Sequence, residues 1–180
     1  QKELYDRAKA ELKPLLARLH RANRDKLGPA FADGQSALIL DAQQKSTQWC
    51  NFMEAAPQPL PLPQLACVYS VSNAQLLKEG AREYFDTLQT AIEKMSELMP
   101  GQVPPIEIPP PQSQEVASGT IYKYSLPPMF GVDARTAPNA GVSTDVLALS
   151  LMPETTQQLL TVKPLQGPGP LANLDRPLAT

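Results

Sequence analysis

Nucleophilic catalysis needs a serine or cysteine beside a histidine base, with an acid that orients the histidine. The chain contains one histidine, His20, which lies among leucines and arginines of a predicted helix. The G-x-S-x-G elbow that exposes a nucleophilic serine does not occur in the sequence. We therefore predict that His20 is a surface residue and that the chain is not an enzyme.

Residue types that bind metals or phosphates are scattered along the chain. Cys50 and Cys67 belong to no Cys-x-x-Cys pair. Asp133 and Asp145 flank a long loop, but the acidic alternation of a calcium-binding loop is missing. The densest glycine cluster, residues 167–170, alternates with prolines, which lack the N–H donors that a phosphate cradle needs. The sequence thus predicts neither a metal site nor a cofactor.

Two features remain that could bind a ligand or a partner. Proline segments at residues 58–63 and 104–111 favour the polyproline conformation, which either binds an aromatic groove or acts as a stiff connector. Aromatic side chains can line a pocket or an interface, or simply pack in the core and on the sheet. The aromatic candidates for such a contact are Trp49, Tyr84, Tyr122, Tyr124 and Phe130.

Composition bounds the class of protein. The chain has 180 residues, of which 42% are hydrophobic, enough for one domain with a core. Its net charge of -2 and the absence of a basic face argue against nucleic-acid binding. No apolar run approaches the ~18 residues that a membrane-spanning helix requires, so the chain is predicted to be soluble as given.

Apolar residues spaced three and four apart predict two long helices. The first covers residues 2–25, and Pro14 is expected to kink or break it. The second begins at a capping box formed by Ser72 and Gln75 and ends before Pro100.

Apolar segments bounded by turn residues predict four strands, at residues 35–42, 65–71, 118–126 and 145–151. Residues 129–144 predict a loop, the pattern around Trp49 allows a short helix over residues 46–53, and a short helix follows at residues 153–160. This order predicts an α+β fold. We expect a mainly antiparallel sheet of about four strands, covered on one face by the long helix, with an additional N-terminal helix.

The predicted elements divide the chain into three parts. Residues 1–28 form an N-terminal helix that packs on the domain, and residues 29–162 form the α+β domain. Residues 163–180 are expected to form a Pro/Gly-rich linker toward a missing C-terminal domain.

Several of these steps together resemble a known type of protein. They are the strand at residues 36–42 after Asp33-Gly34, the strand at residues 65–71 that leads into Ser72-Asn73 and the long helix, the Gly119-Thr120-Ile121-Tyr122 segment, and residues 147–152 followed by Pro153-Glu154. The chain resembles uncharacterised bacterial proteins of unknown function that are secreted or envelope-associated and built from repeated strand–helix–strand–strand–helix units.

The resemblance covers about residues 30–160 and implies a parent protein of several units in a secreted, periplasmic or cell-envelope location. An exported protein would pair its thiols or avoid them, so the sequence leaves open whether Cys50 and Cys67 form a disulfide. No site residue is implied.

The leading functional hypothesis is a non-enzymatic structural or protein-interaction domain, whose partner is another protein or a following domain of the same chain. One alternative is a carrier of a small apolar ligand in a pocket between the long helix and the sheet, near Trp49 and Tyr84. A second alternative is an enzyme of unfamiliar type.

Overall fold

The structure, a computed structural model, describes residues 2–42, 44–50, 52–133 and 135–161, so the predicted linker at residues 163–180 lies outside the described residues. The helices are α1 (Lys2–Ala22), a π-helical turn (Asn23–Leu27), α2 (Gly28–Ala30), α3 (Ala74–Leu98), a 3-10 turn (Pro128–Phe130) and α4 (Pro153–Leu160). The strands are β1 (Ser36–Asp41), β2 (Lys45–Ser46), β3 (Leu60–Pro61), β4 (Gln64–Ser70), β5 (Gln112–Val116), β6 (Gly119–Lys123), β7 (Asn139–Val142) and β8 (Val146–Ser150).

Six strands form one antiparallel sheet in the order β1-β4-β8-β7-β6-β5. Strands β5 to β8 pair with one another in sequence order, and β4 joins this group by pairing with β8. The short strands β2 and β3 pair separately, in the segment that connects β1 to β4. The predicted α+β class is therefore confirmed.

The sheet has two more strands than the sequence predicts. Strand β5 follows the second proline segment and consists mostly of polar residues, so it lacks the alternation that marks a strand. Strand β7 has the sequence Asn-Ala-Gly-Val and lies inside residues 129–144, which predict a loop. Both strands owe their place to neighbours in the sheet rather than to local propensity.

Helix α4 covers one face of the sheet. Leu160 packs there with the buried residues Ile121 and Ala148. Glycine at position 141 allows this approach, because a Cβ atom there would clash with the Thr156 side chain and lie 2.8 Å from Leu160 Cδ1. The hydroxyls of Thr156 and Ser150 lie 2.8 Å apart beneath the helix, which satisfies two buried polar groups.

The long helix does not cover the sheet, contrary to the prediction. Instead α3 pairs antiparallel with α1, as the ion pairs Arg18–Glu83 and Glu11–Lys94 show. Glu83 accepts hydrogen bonds from Arg18 at 3.0 Å and from Lys26 at 2.7 Å, and these two cations hold the pKa of Glu83 below its usual value. The wide apolar stripe of α3 therefore packs largely against helix α1 rather than against the sheet.

The base of this helix pair packs on the second face of the sheet. Ala30 at the end of α2 and Leu77 near the start of α3 form a buried cluster with Val71 and Val142. The cluster lies at one end of the sheet only, so it leaves the other end of the second face uncovered.

Two details of the helices differ from the prediction. Helix α1 continues through Pro14 and first becomes irregular at the π-helical turn after Ala22. The cap of α3 is Asn73, whose side chain accepts the Leu76 N–H at 3.0 Å. Ser72 serves another purpose, because its hydroxyl accepts the Asp33 N–H at 3.2 Å.

The second proline segment returns along α3. The Gln89 side chain donates to the Ile106 carbonyl at 3.3 Å and accepts the Ile108 N–H at 2.9 Å. This contact supports the interpretation of the segment as a stiff connector. Within the described residues, no helix combines the length and the hydropathy needed to cross a membrane.

We predict that Gly141→Val lowers the free energy of unfolding by about 1–3 kcal/mol, the usual cost of overpacking a tight contact. The valine side chain would collide with Thr156 and Leu160 and lift α4 from the sheet. Urea denaturation measures the loss.

The matched control is Ala140→Val, which adds the same type of side chain one residue earlier, on the opposite and less covered face. It should change the free energy of unfolding by no more than about 0.5 kcal/mol. Equal losses in the two variants would contradict the close contact between α4 and the sheet.

Candidate interaction surface

Two loops meet at the end of the sheet where β1 and β6 finish. One connects β1 to β4 and carries the β2–β3 pair; the other connects β6 to β7. The bridge between Cys50 and Val132 joins them, and the Asp133 N–H donates to the Trp49 carbonyl at 3.0 Å. The two loops therefore form one surface.

Asp133 holds this surface together. Its carboxylate accepts a 2.6 Å hydrogen bond from Ser46 Oγ and two more from the Arg135 guanidinium, at 3.0 Å and 2.9 Å. Arg135 also donates to the Lys45 carbonyl at 3.0 Å. The Asp133 side chain is only 10% exposed. The Arg135 bonds are the main reason that the pKa of Asp133 lies well below its usual range, with Ser46 contributing. We call Ser46, Asp133 and Arg135 the loop clamp.

Large apolar side chains of the same two loops are exposed to solvent. Phe52 is 79% exposed and Met129 is 78% exposed. Gly131 has a φ of +63°, and the Phe52 ring lies so close to it that an added Cβ atom would be 2.7 Å from the ring. We define the aromatic loop patch as the exposed apolar residues of the two loops: Trp49, Phe52, Met53, Met129, Phe130 and Val132.

The structure brings together only part of the predicted contact set. Trp49 and Phe130 both belong to the aromatic loop patch. Tyr124 is partly exposed just beyond β6, whereas Tyr122 packs against the buried cluster at the base of the helix pair. Tyr84 lies on α3, where its hydroxyl donates to Asn23 Oδ1 at 2.5 Å. The expected neighbourhood of Trp49 and Tyr84 is thus split between separate elements.

Sequence reasoning missed four members of the patch, Phe52, Met53, Met129 and Val132. Apolar residues in segments without helical or strand periodicity carry the signal that could have found them, because such residues have no obvious core to enter. The short helix that the pattern around Trp49 allows does not occur in the described part of residues 46–53, which contains the end of β2 and the Cys50 bridge.

A second apolar area lies on the uncovered end of the sheet. Leu38 and Leu40 of β1 are 71% and 76% exposed. They share a face with residues of the next strands, because the ladders set Leu38 opposite Cys67 and Cys67 opposite Leu149. We define the open sheet surface as the exposed leucines of this face: Leu38, Leu40, Leu65, Leu149 and Leu151.

Two open cavities adjoin the clamp. The first, of about 510 Å³, is lined by Lys45, Ser46, Thr47, Gln48, Pro59, Asp133 and Arg135. The second, of about 360 Å³, lies beside α4 and includes Arg135, Glu154 and Gln157. Neither is lined by Trp49 or Tyr84, so neither matches the pocket expected for a carrier.

The described residues contain no group of three or more His, Cys, Asp or Glu side chains placed to hold a metal ion. Asp133, considered as a calcium ligand, instead binds the guanidinium of Arg135. Cys50 and Cys67 are free thiols on different elements.

Comparisons of the chain with protein-family models, with curated proteins and with solved structures found no match. The resemblance to exported bacterial proteins therefore stays a prediction.

We predict that Asp133→Asn lowers the free energy of unfolding at pH 7 by about 1–3 kcal/mol, because the amide cannot replace a carboxylate that accepts charge-assisted hydrogen bonds. The folded state depresses the pKa of Asp133, so its stabilising effect is complete above the unfolded pKa of about 3.9. It is lost as the pH falls from there through the folded pKa. Urea titrations at neutral and at acidic pH should show that the wild type and the variant differ less in free energy of unfolding as the pH falls.

The control is Glu54→Gln, which removes an exposed carboxylate from the same loop. It should leave stability within about 0.5 kcal/mol of wild type at either pH. A difference between wild type and Asp133→Asn that stays constant down to strongly acidic pH would contradict the role of the ionised carboxylate.

Proposed function

We propose that this chain is a non-enzymatic protein-interaction domain that binds an uncharged, aliphatic-rich segment of a partner protein through the aromatic loop patch. The observation that carries the proposal is the concentration of six exposed apolar side chains on two adjoining loops. Contiguous apolar areas on a protein surface mark binding sites more often than isolated hydrophobic residues do.

The residue types of the patch suit protein recognition. Tryptophan and phenylalanine bury a large area on binding, and aromatic anchors carry much of the energy of protein interfaces. Methionine is unbranched and polarisable, so it adapts to partner surfaces of different shape. The patch pairs Trp49, Phe52 and Phe130 with Met53 and Met129.

The loop clamp supports the proposal by fixing the patch before binding. Ser46 lies on one loop, and Asp133 and Arg135 lie on the other. The hydrogen bond from Ser46 to Asp133 and the backbone hydrogen bonds join the two loops, while Arg135 orients Asp133. A surface that is already ordered loses less conformational entropy when a partner binds.

The charges around the patch favour an uncharged partner. The two loops carry Lys45 and Arg135 against Glu54 and Asp133, so their positive and negative charges balance. A surface without net charge gives little attraction to nucleic acids or to anionic lipids, whereas it does not repel an aliphatic segment.

The predicted secreted, periplasmic or envelope location forms part of the proposal and places the partner outside the cytoplasm. Its support is the resemblance alone. Fractionation of the native cells tests it, and recovery of the full-length protein only with the cytosol would contradict it.

The binding test uses the full-length protein in its own cells, with the photo-crosslinking amino acid p-benzoylphenylalanine in place of Met129. We expect a discrete adduct with one other protein, because Met129 is one of the two most exposed side chains of the patch. The double variant Phe52→Ser with Phe130→Ser should reduce the adduct yield at least about tenfold, since it removes two aromatic anchors.

The same crosslinker at Leu88, an exposed residue of α3, is the matched control and should give no such adduct. Thermal denaturation of the double variant checks that the fold persists. Equal adducts from both positions, or adducts of lipid mass only, would overturn the proposed function.

A further inference from the structure

The two edges of the main sheet differ in how they are protected. Strand β5, at one edge, contains the charged residue Glu115 and directly follows Pro109-Pro110-Pro111. Proline and charge are devices by which edge strands avoid pairing with other chains. Strand β1, at the other edge, has the sequence Ser-Ala-Leu-Ile-Leu-Asp and carries neither device over its first five residues.

The outer side of β1 is also open. Among the described residues, β1 pairs with β4 and with no other strand, and Leu38 and Leu40 are largely exposed. An exposed apolar edge strand without such protection is expected to pair with another strand. The observation that needs an explanation is therefore an unguarded edge on a sheet whose other edge is guarded.

The backbone groups that face outward can be assigned. The Ser70 N–H donates to the Gln35 carbonyl at 3.0 Å, and the β1–β4 register places these two residues opposite each other. The Val71 N–H donates on the other side, to Asp145 of the next connection. Because backbone groups alternate along a strand, Ser36, Leu38 and Leu40 direct their N–H and C=O groups away from β4.

These three residues can pair with a second copy of themselves. An antiparallel arrangement about a two-fold axis at Leu38 sets Leu38 opposite the second copy's Leu38 and Ser36 opposite the second copy's Leu40, so every outward backbone group finds a partner. No charged residue lies between Ser36 and Leu40, so the arrangement brings no like charges together. It also joins the open sheet surfaces of the two copies.

We propose that β1 is a self-association edge, at which two copies of this chain pair antiparallel about Leu38 and extend their sheets into one. The pairing opposes no like charges and no proline between Ser36 and Leu40, and this compatibility is the reason for choosing a second copy as the occupant. This inference is independent of the proposed function, because β1 and the aromatic loop patch share no residue.

Sedimentation equilibrium of the full-length protein, over about three decades of concentration, measures the association. We expect a monomer–dimer equilibrium with a dissociation constant on the order of micromolar, because a strand-edge contact is small for a protein interface. Leu38→Lys should raise that constant at least about tenfold by placing two ammonium groups opposite each other at the axis.

The matched control is Leu88→Lys, an equally drastic change at an exposed leucine of α3, which should leave the constant unchanged. Thermal denaturation of the diluted variants keeps the test interpretable, since Leu38 is 71% exposed and its replacement should not unfold the monomer. A wild-type chain that stays monomeric throughout would overturn the proposal. If the protein is monomeric and Leu38→Lys lowers its stability, another segment of the same chain pairs with β1, and the proposal is overturned.

Cysteine crosslinking tests the register. In a Cys50→Ser, Cys67→Ser background, Leu38→Cys should form a disulfide-linked dimer under mild oxidation, because the paired Cα atoms would lie about 5.5 Å apart. Leu40→Cys has the same face and exposure but would lie about 14 Å from its own copy, so it should not crosslink. Equal crosslinking at both positions would overturn the register.

Discussion

A six-stranded sheet has two faces to remove from water, and the helices of this chain cover them unequally. Helix α4 closes one face through the contact of Thr156 and Leu160 with Gly141. On the second face, only the base of the α1–α3 pair reaches the strands, around Val142 and Leu77. The remainder of that face, and the loops beside it, keep their apolar side chains in solvent. The open sheet surface follows directly from this shortage of cover.

Helices α1 and α3, which could otherwise cover the sheet, pack against each other. The stripe of α3 faces α1, and Glu83 binds Arg18 and Lys26 across the seam. The second proline segment is laid along α3 by Gln89. A long amphipathic helix next to a predicted sheet invites the inference that it covers the sheet, yet the nearest apolar stripe belongs to another helix. The periodicity of a sequence identifies which face of a helix is buried, but it does not show which element packs against that face.

The sequence predicts the regular parts of this fold and misses the parts that depend on distant residues. Strands β1, β4, β6 and β8 follow from their apolar runs, and α4 appears with its observed bounds. Strands β5 and β7 are polar or small-residue segments whose pairing partners define them, so no local pattern marks them. The candidate site divides in the same way. Aromatic content alone selects Trp49 and Phe130, whereas the role of Asp133 depends on Ser46, which lies far away in sequence.

The strand order has a consequence for how the chain folds. Among themselves, strands β5 to β8 pair in sequence order, and α4 follows directly after β8, so most contacts of this half join neighbouring elements of the chain. The β4–β8 ladder instead joins segments on either side of α3, and its closure costs more chain entropy. Low contact order favours fast formation. The C-terminal meander can therefore nucleate the domain, and the β1–β4 hairpin adds its two strands to a template that already exists.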